Sequence, residues 1–218
     1  MKSEVRDRPS FANIRVQLEP GEAIIAESDA MASMSPTLHM NTMWNGGLLV
    51  AIVRKIFGGE SLFVNIFTAK EAGELVITQP YPGDIECIEL SGNTFFLQPG
   101  AYIASEPTVT LGMEWAGLAS WIGGEGLFRL KLSGHGKFWF GAYGGIFAKE
   151  ISDNLIVDTG HLVAYEPSVR LKVGLSGGLF SSFFSGEGLV SQVKGPGKIY
   201  LQSRSIDGFA GWINRHLW

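Results

Sequence analysis

One string of residues occurs three times along this chain, and that recurrence limits its architecture more than any single residue does. The string is Gly59-Glu60-Ser61-Leu62-Phe63, then Gly124-Glu125-Gly126-Leu127-Phe128, then Gly186-Glu187-Gly188-Leu189-Val190. The three Glu lie 65 and then 62 residues apart. A period of this size is the signature of one folding unit used repeatedly. Two further landmarks keep the same order. Ser35-Pro36-Thr37-Leu38, Glu106-Pro107-Thr108-Val109 and Glu166-Pro167-Ser168-Val169 come early in each period. Gly73-Glu74-Leu75, Gly136-Lys137-Phe138 and Gly197-Lys198-Ile199 come late. From each Pro to the following Glu of the central string the gaps are 24, 18 and 20 residues, and from that Glu to the late Gly 13, 11 and 10. The first period diverges most. It has extra residues before Gly59 and no counterpart of the Gln98-Pro99-Gly100 or Thr159-Gly160 turns.

A unit of roughly 60–70 residues buries too little apolar surface to be secure alone, so the expectation is one compact body of three repeats sharing a core. Their boundaries are read at 12–84, 85–145 and 146–206, with a closing helix over 207–218. Short apolar or alternating runs separated by Gly, Pro, Asn or Asp read as strands. They are Phe11 to Gln17, Ala23 to Ala26, Leu62 to Phe67, Leu75 to Thr78, Ile85 to Leu90, Thr94 to Leu97 and Tyr102 to Ala104, continuing to Ile199–Gln202. The 29 glycines, without a collagen period, suit the turns of such an all-β chain. Residues 1–12 read as a polar lead-in. Phe209, Trp212, Ile213 and Leu217 fall on one helical face, with Asp207 as the expected cap and packing on the β core as the expected fate.

Before each Gly-Glu string lies an apolar, helix-like insert. The first carries Leu48, Leu49, Val50, Ile52, Val53, Ile56 and Phe57. Trp121 belongs to the second, and Phe183 and Phe184 to the third. A segment apolar on every side is buried on several sides, or forms a patch that meets a partner or a membrane surface. Burial among units and subunits is the preferred reading.

Together the triple string, the Glu-Pro-(Thr/Ser)-Val turns and the Gly-Gly-Leu inserts resemble bacterial relatives of the altered-inheritance-of-mitochondria protein family, a domain of unknown function. The match runs from about Ala12 to Leu217. The resemblance implies a triplicated β module similar to the tryptophan-RNA-binding attenuation protein (TRAP), a shortened double-stranded β-helix whose modules assemble into rings. Three modules per chain then imply a nine-module ring from a trimer. The RNA-binding relative reads RNA with repeated Lys and Arg, and here Lys137 and Lys198 recur but the first unit has Glu74.

The remaining chemistry is sparse. Net charge is −4 with 17 Lys and Arg and no basic run, which argues against a nucleic-acid groove. Cys87 stands alone, so no intrachain disulfide and no cysteine-based metal site is expected. His39, His135, His161 and His216 make no metal-ligand spacing, and no Gly-x-Ser-x-Gly elbow or phosphate loop occurs. Glu60, Glu125 and Glu187 are the recurrent carboxylates. A turn-satisfying role is preferred for them over cation binding. No secretory leader and no membrane span is read, which makes the cytoplasm the expected compartment, with peripheral membrane contact as a variant. The expectation is a non-enzymatic oligomeric scaffold or binding protein without cofactor. A small-molecule sensor with pockets between modules is the alternative, and RNA binding comes third.

Overall fold

The computed structural model describes residues 1–44, 63–115, 128–175 and 189–217. The chain is mostly β-sheet. Its strands are β1 (Lys2–Arg6), β2 (Asn13–Leu18), β3 (Ala23–Glu27), β4 (Met31–Met34), β5 (Leu38–Trp44), β6 (Phe63–Ala69) and β7 (Gly73–Thr78). Then come β8 (Gly83–Leu97), β9 (Tyr102–Ser105), β10 (Val109–Trp115), β11 (Phe128–Tyr143), β12 (Ile146–Ile151) and β13 (Asn154–Asp158). After a 3-10 turn at Thr159–His161 follow β14 (Leu162–Tyr165), β15 (Arg170–Leu175), β16 (Leu189–Lys194), β17 (Gly197–Gln202) and the helix α1 (Ile206–His216).

Pairing follows one scheme in three sets. β7 lies between β2 and β4, the second half of β11 between the first half of β8 and β9, and β17 between β12 and β14. β6 lies between β3 and β5, the first half of β11 between the second half of β8 and β10, and β16 between β13 and β15. Even the irregularities correspond. A register shift falls at Met31/Ser33, at Trp139/Phe140 and at Leu162/Ala164. Two antiparallel junctions then join the sets into a larger sheet, β3 to β9 and β8 to β14.

The sequence pattern explains the buried faces. Strand β2 (NIRVQL) alternates, and Ile14, Val16 and Leu18 point inward. The core falls into three clusters, and two of them borrow a large aromatic from the next set. Trp139 of β11 packs with Ile24, Ala26, Leu75 and Ile77. Tyr200 of β17 packs with Phe95 and Phe140, at ring-centroid distances of 5.8 and 5.3 Å.

Several expectations need correction. Residues 2–6 are not a polar lead-in but a strand, held by five paired positions on β2. The runs 85–90 and 94–97 belong to one bent strand, with Gly92 at φ +90° and a cross-link from the Ser91 N–H to Asn93 Oδ1 of 2.9 Å. Ser205, not Asp207, caps α1, its hydroxyl accepting from the Gly208 N–H. Asp207 instead sits in the first turn, where a carboxylate suits the helix dipole. The helix does not pack fully on the core. Ile206, Phe209, Trp212 and Leu217 are exposed, and Phe209 meets Tyr143 in a tilted contact with ring centroids 5.9 Å apart.

Candidate functional site: clamped turns, junctions and two open edges

The early and late landmarks form one device. Each Pro turn docks on the strand that carries the late Gly, at its start in β7 and β17 and inside it in β11. The Ser35 N–H donates to the Glu74 carbonyl, the Glu106 N–H to that of Lys137 and the Glu166 N–H to that of Lys198, at 2.8, 2.8 and 3.0 Å. In return the Glu74 N–H donates to Ser35 Oγ and the Lys198 N–H to Glu166 Oε2, both at 2.9 Å. The late glycines leave room for oxygen atoms of the turn side chains. A Cβ on Gly73 would lie 2.7 Å from Thr37 Oγ1, one on Gly136 2.6 Å from Glu106 Oε2, and one on Gly197 2.5 Å from Ser168 Oγ. Gly136 also has φ +121°, a conformation that side chains resist. Gly136→Ala is therefore expected to cost about 1–3 kcal/mol, read as a lowered urea midpoint with an unchanged slope. These landmarks build the fold rather than a reactive centre.

The recurrent lysines are absorbed the same way. Lys198 Nζ lies 3.3 Å from Glu150 across the strand pair, and this hydrogen bond pushes the ammonium pKa upward. Lys137 stands opposite Glu89, and Gln17 donates to Glu74 at 2.7 Å. Each position thus faces a cross-strand partner, an arrangement that stabilises a sheet and supplies no row of cations for a phosphate backbone.

Among the described residues the junctions between sets combine strand pairing with side-chain contacts. At the first, Ile25 pairs with Ser105 and Ala26 with Ala104. Ser105 is fully buried, its hydroxyl 2.9 Å from the Tyr102 hydroxyl, and burial pushes the Tyr102 phenol pKa upward. At the second, Phe96 pairs with Tyr165 and Leu97 with Ala164. Arg129 lies over this junction. Its guanidinium carbon is 3.8 Å from the Phe96 ring centroid, Nη1 donates to the Tyr165 hydroxyl at 3.1 Å, and Nη2 pairs with Glu114. The hydrogen bond from Arg129 holds the Glu114 carboxyl below its ordinary range.

Among the described residues β1, β5, β10, β12 and β15 each pair with a single strand, and two further edges, β4 and β13, differ from their counterparts in the other sets. Among the described residues β4 pairs only with β7, and β13 only with β16. All four residues of β4 are exposed, whereas β9 and β14, which hold the same place in the other two sets, are buried throughout. On β13, Ile156 is 66 % exposed.

Glu60, Glu125 and Glu187 lie outside the described residues, as do Leu48, Leu49, Val50, Ile52, Val53, Ile56, Phe57, Trp121, Phe183 and Phe184. Their segments join β5 to β6, β10 to β11 and β15 to β16, so all three inserts leave from the same corner of the pairing scheme. Among the described residues no group of three His, Cys, Asp and Glu could hold a metal ion. His161 Nδ1 is 2.8 Å from the Gln202 carbonyl and His216 Nδ1 2.7 Å from that of Trp212, so both are engaged by backbone. Cys87 is half-buried, and desolvation pushes its thiol up to about 11, which disfavours the nucleophilic thiolate. No helix among the described residues is long and apolar enough to cross a membrane.

A family model, described as mitochondrial biogenesis AIM24, matches residues 3–204. The chain belongs to the AIM24 family. It is 30% identical over 218 residues to an uncharacterized protein of Streptococcus pyogenes serotype M6, covering 95% of this chain and 87% of that protein. It also superposes on the X-ray crystal structure of a Streptococcus pyogenes protein, a structural genomics target, with TM-score 0.81 and 27% identity over 99% of both chains. Neither description assigns an activity, so any function for this AIM24-family chain has to come from its geometry.

Proposed function

We propose that this AIM24-family chain is a non-enzymatic homo-oligomeric scaffold or binding protein, built from three TRAP-like units and assembled as a trimer. The observation that carries the reading is the pair of uncovered strands, β4 and β13, in a molecule whose corresponding strands are otherwise buried at junctions. Exposed strand edges with apolar side chains are paired or covered in stable proteins. The triple pairing scheme supports a unit of about six strands used three times. The family resemblance to TRAP-like rings supports three chains, since closed cyclic symmetry is the common solution for like subunits. The paired Lys198 and the acidic balance weigh against RNA. The exposed side of α1 supports a surface contact beyond the chain itself, and a cytoplasmic place, peripheral to the membrane, is part of the proposal.

Native mass spectrometry of the protein as purified tests this reading. The expected species is three times the 23.6 kDa chain mass, without a small-molecule adduct. A single chain at micromolar concentration would defeat the oligomer. A stoichiometric adduct would favour the alternative, a sensor with pockets between units.

A further inference from the structure

The two junctions inside the chain have the same register, and β13 and β4 carry the two halves of a third. At the first junction β3 meets β9 with Ile25 opposite Ser105 and Ala26 opposite Ala104, while Trp139, one strand over, fills the preceding core cluster. At the second, β8 meets β14 with Phe96 opposite Tyr165 and Leu97 opposite Ala164, while Tyr200 fills the preceding cluster. The register of each strand against its own neighbours fixes which residues correspond. Ile25, Phe96 and Ile156 lie opposite Ile66, Lys131 and Gln192 on the strands that follow the inserts. Ser105, Tyr165 and Met34 lie opposite Phe138, Ile199 and Leu75 on the strands that follow the late glycines. Val76 holds the place of Trp139 and Tyr200 and is half-buried.

We infer that β13 of one copy pairs antiparallel with β4 of a second copy, with Ile156 opposite Met34 and Val157 opposite Ser33. The occupant of each open edge is thus another copy of this chain, joined head to tail. The inference rests on the oligomeric reading above and names its contact. Three features of the single chain fit this joint. Ile156 is 66 % exposed and Met31 and Met34 are each 37 % exposed, an apolar surplus that an interface removes from water. The edge of β4 carries Ser33 and Ala32, as small as Ala104 and Ala164 at the intrachain joints. A second backbone contact also repeats. The Ala12 N–H donates to the Gly83 carbonyl at 3.0 Å and the Asp84 N–H to that of Gly144 at 2.9 Å. The third member of this series would be the Gly145 N–H with the Phe11 carbonyl of the next copy, in exchange for its bond to Ser203 Oγ at 2.9 Å within the chain, and Phe11 is 72 % exposed. The contact joins unlike surfaces, so it is heterologous and closes only as a ring.

Cysteine cross-linking reads the register. Directly opposed residues have Cα atoms about 4.5–5.5 Å apart, within the span of a disulfide. In a Cys87→Ser background, Met34→Cys and Ile156→Cys are made singly and together, and copper-phenanthroline supplies the oxidant. The chain with both substitutions is expected to give linked dimers and trimers on a non-reducing gel. The two single variants mixed give dimers only, and each alone gives none. In parallel, Ile156→Arg is expected to convert the assembly to single chains by light scattering with an unchanged circular dichroism spectrum, because this side chain is exposed within one copy. An oligomer that persists in Ile156→Arg and resists cross-linking would overturn this joint while leaving the oligomeric reading intact. A wild-type protein that scatters as a single chain would overturn both.

Discussion

Trp139→Ala is expected to cost about 3–5 kcal/mol, a large part of the ~5–15 kcal/mol that holds a typical domain together. Trp139 is 1 % exposed and sits on β11 between Cys87 of β8 and Ala104 of β9. Its ring reaches the cluster of Ile14, Ile24, Leu75 and Ile77, which comes from the first set of strands. Truncation leaves a cavity at the junction of two sets, and the β strands on either side are too constrained by ladder bonds to collapse into it. Urea unfolding followed by circular dichroism should show a midpoint lowered in proportion. Trp139→Phe, which keeps most of the volume, should recover much of the loss. A Trp139→Ala variant within 1 kcal/mol of wild type, to within about the error of extrapolation, would mean that the first cluster does not depend on the second set.

The second large effect is expected at Arg8. Its Nε and Nη2 donate to the two carboxylate oxygens of Asp84 at 2.7 and 2.9 Å, and Nη2 also donates to Glu86 at 2.8 Å. The hydrogen bond to Asp84 is the main influence pushing the guanidinium pKa upward. The Asp84 side chain is only 4 % exposed, while Arg8 is 41 % exposed. Removing the partner of a fully buried carboxylate costs about 3–5 kcal/mol. Because Arg8 is partly solvated, the Arg8→Ala loss is discounted to about 1–3 kcal/mol. The Asp84→Asn change should then restore part of it in the double variant, since the uncompensated charge is gone. A double variant no more stable than Arg8→Ala would show that Arg8 acts through packing of the N-terminal segment rather than through charge.

Much of the strand set is legible in the sequence, and the places where it is not have physical causes. Runs rich in β-branched and aromatic residues, such as Leu75–Thr78 and Val169–Val173, declare themselves. Strand β4 (MASM) has no such residue and is recognisable only from its pairing with β7. Strand β1 (KSEVR) is charged and largely exposed, and it exists because β2 offers an unpaired edge. Strands β8 and β11 read as two runs each because Gly92, Gly134 and Gly136 look like breaks. In the fold they are bends with positive φ inside continuous strands. The landmarks Glu106-Pro107 and Gly136-Lys137 are visible as separate motifs, but only the fold shows the Glu106 N–H bonded to the Lys137 carbonyl. Nothing in composition marks Ile156 and Met34 as special. Their exposure has meaning only beside the buried residues that hold the same register elsewhere.

Electron microscopy of the purified protein tests most directly the claim that the units join between chains as they join within one. Class averages are expected to show a closed ring of three chains whose rim carries nine similar lobes. Compact single particles of one chain, or an assembly without a central axis, would contradict it.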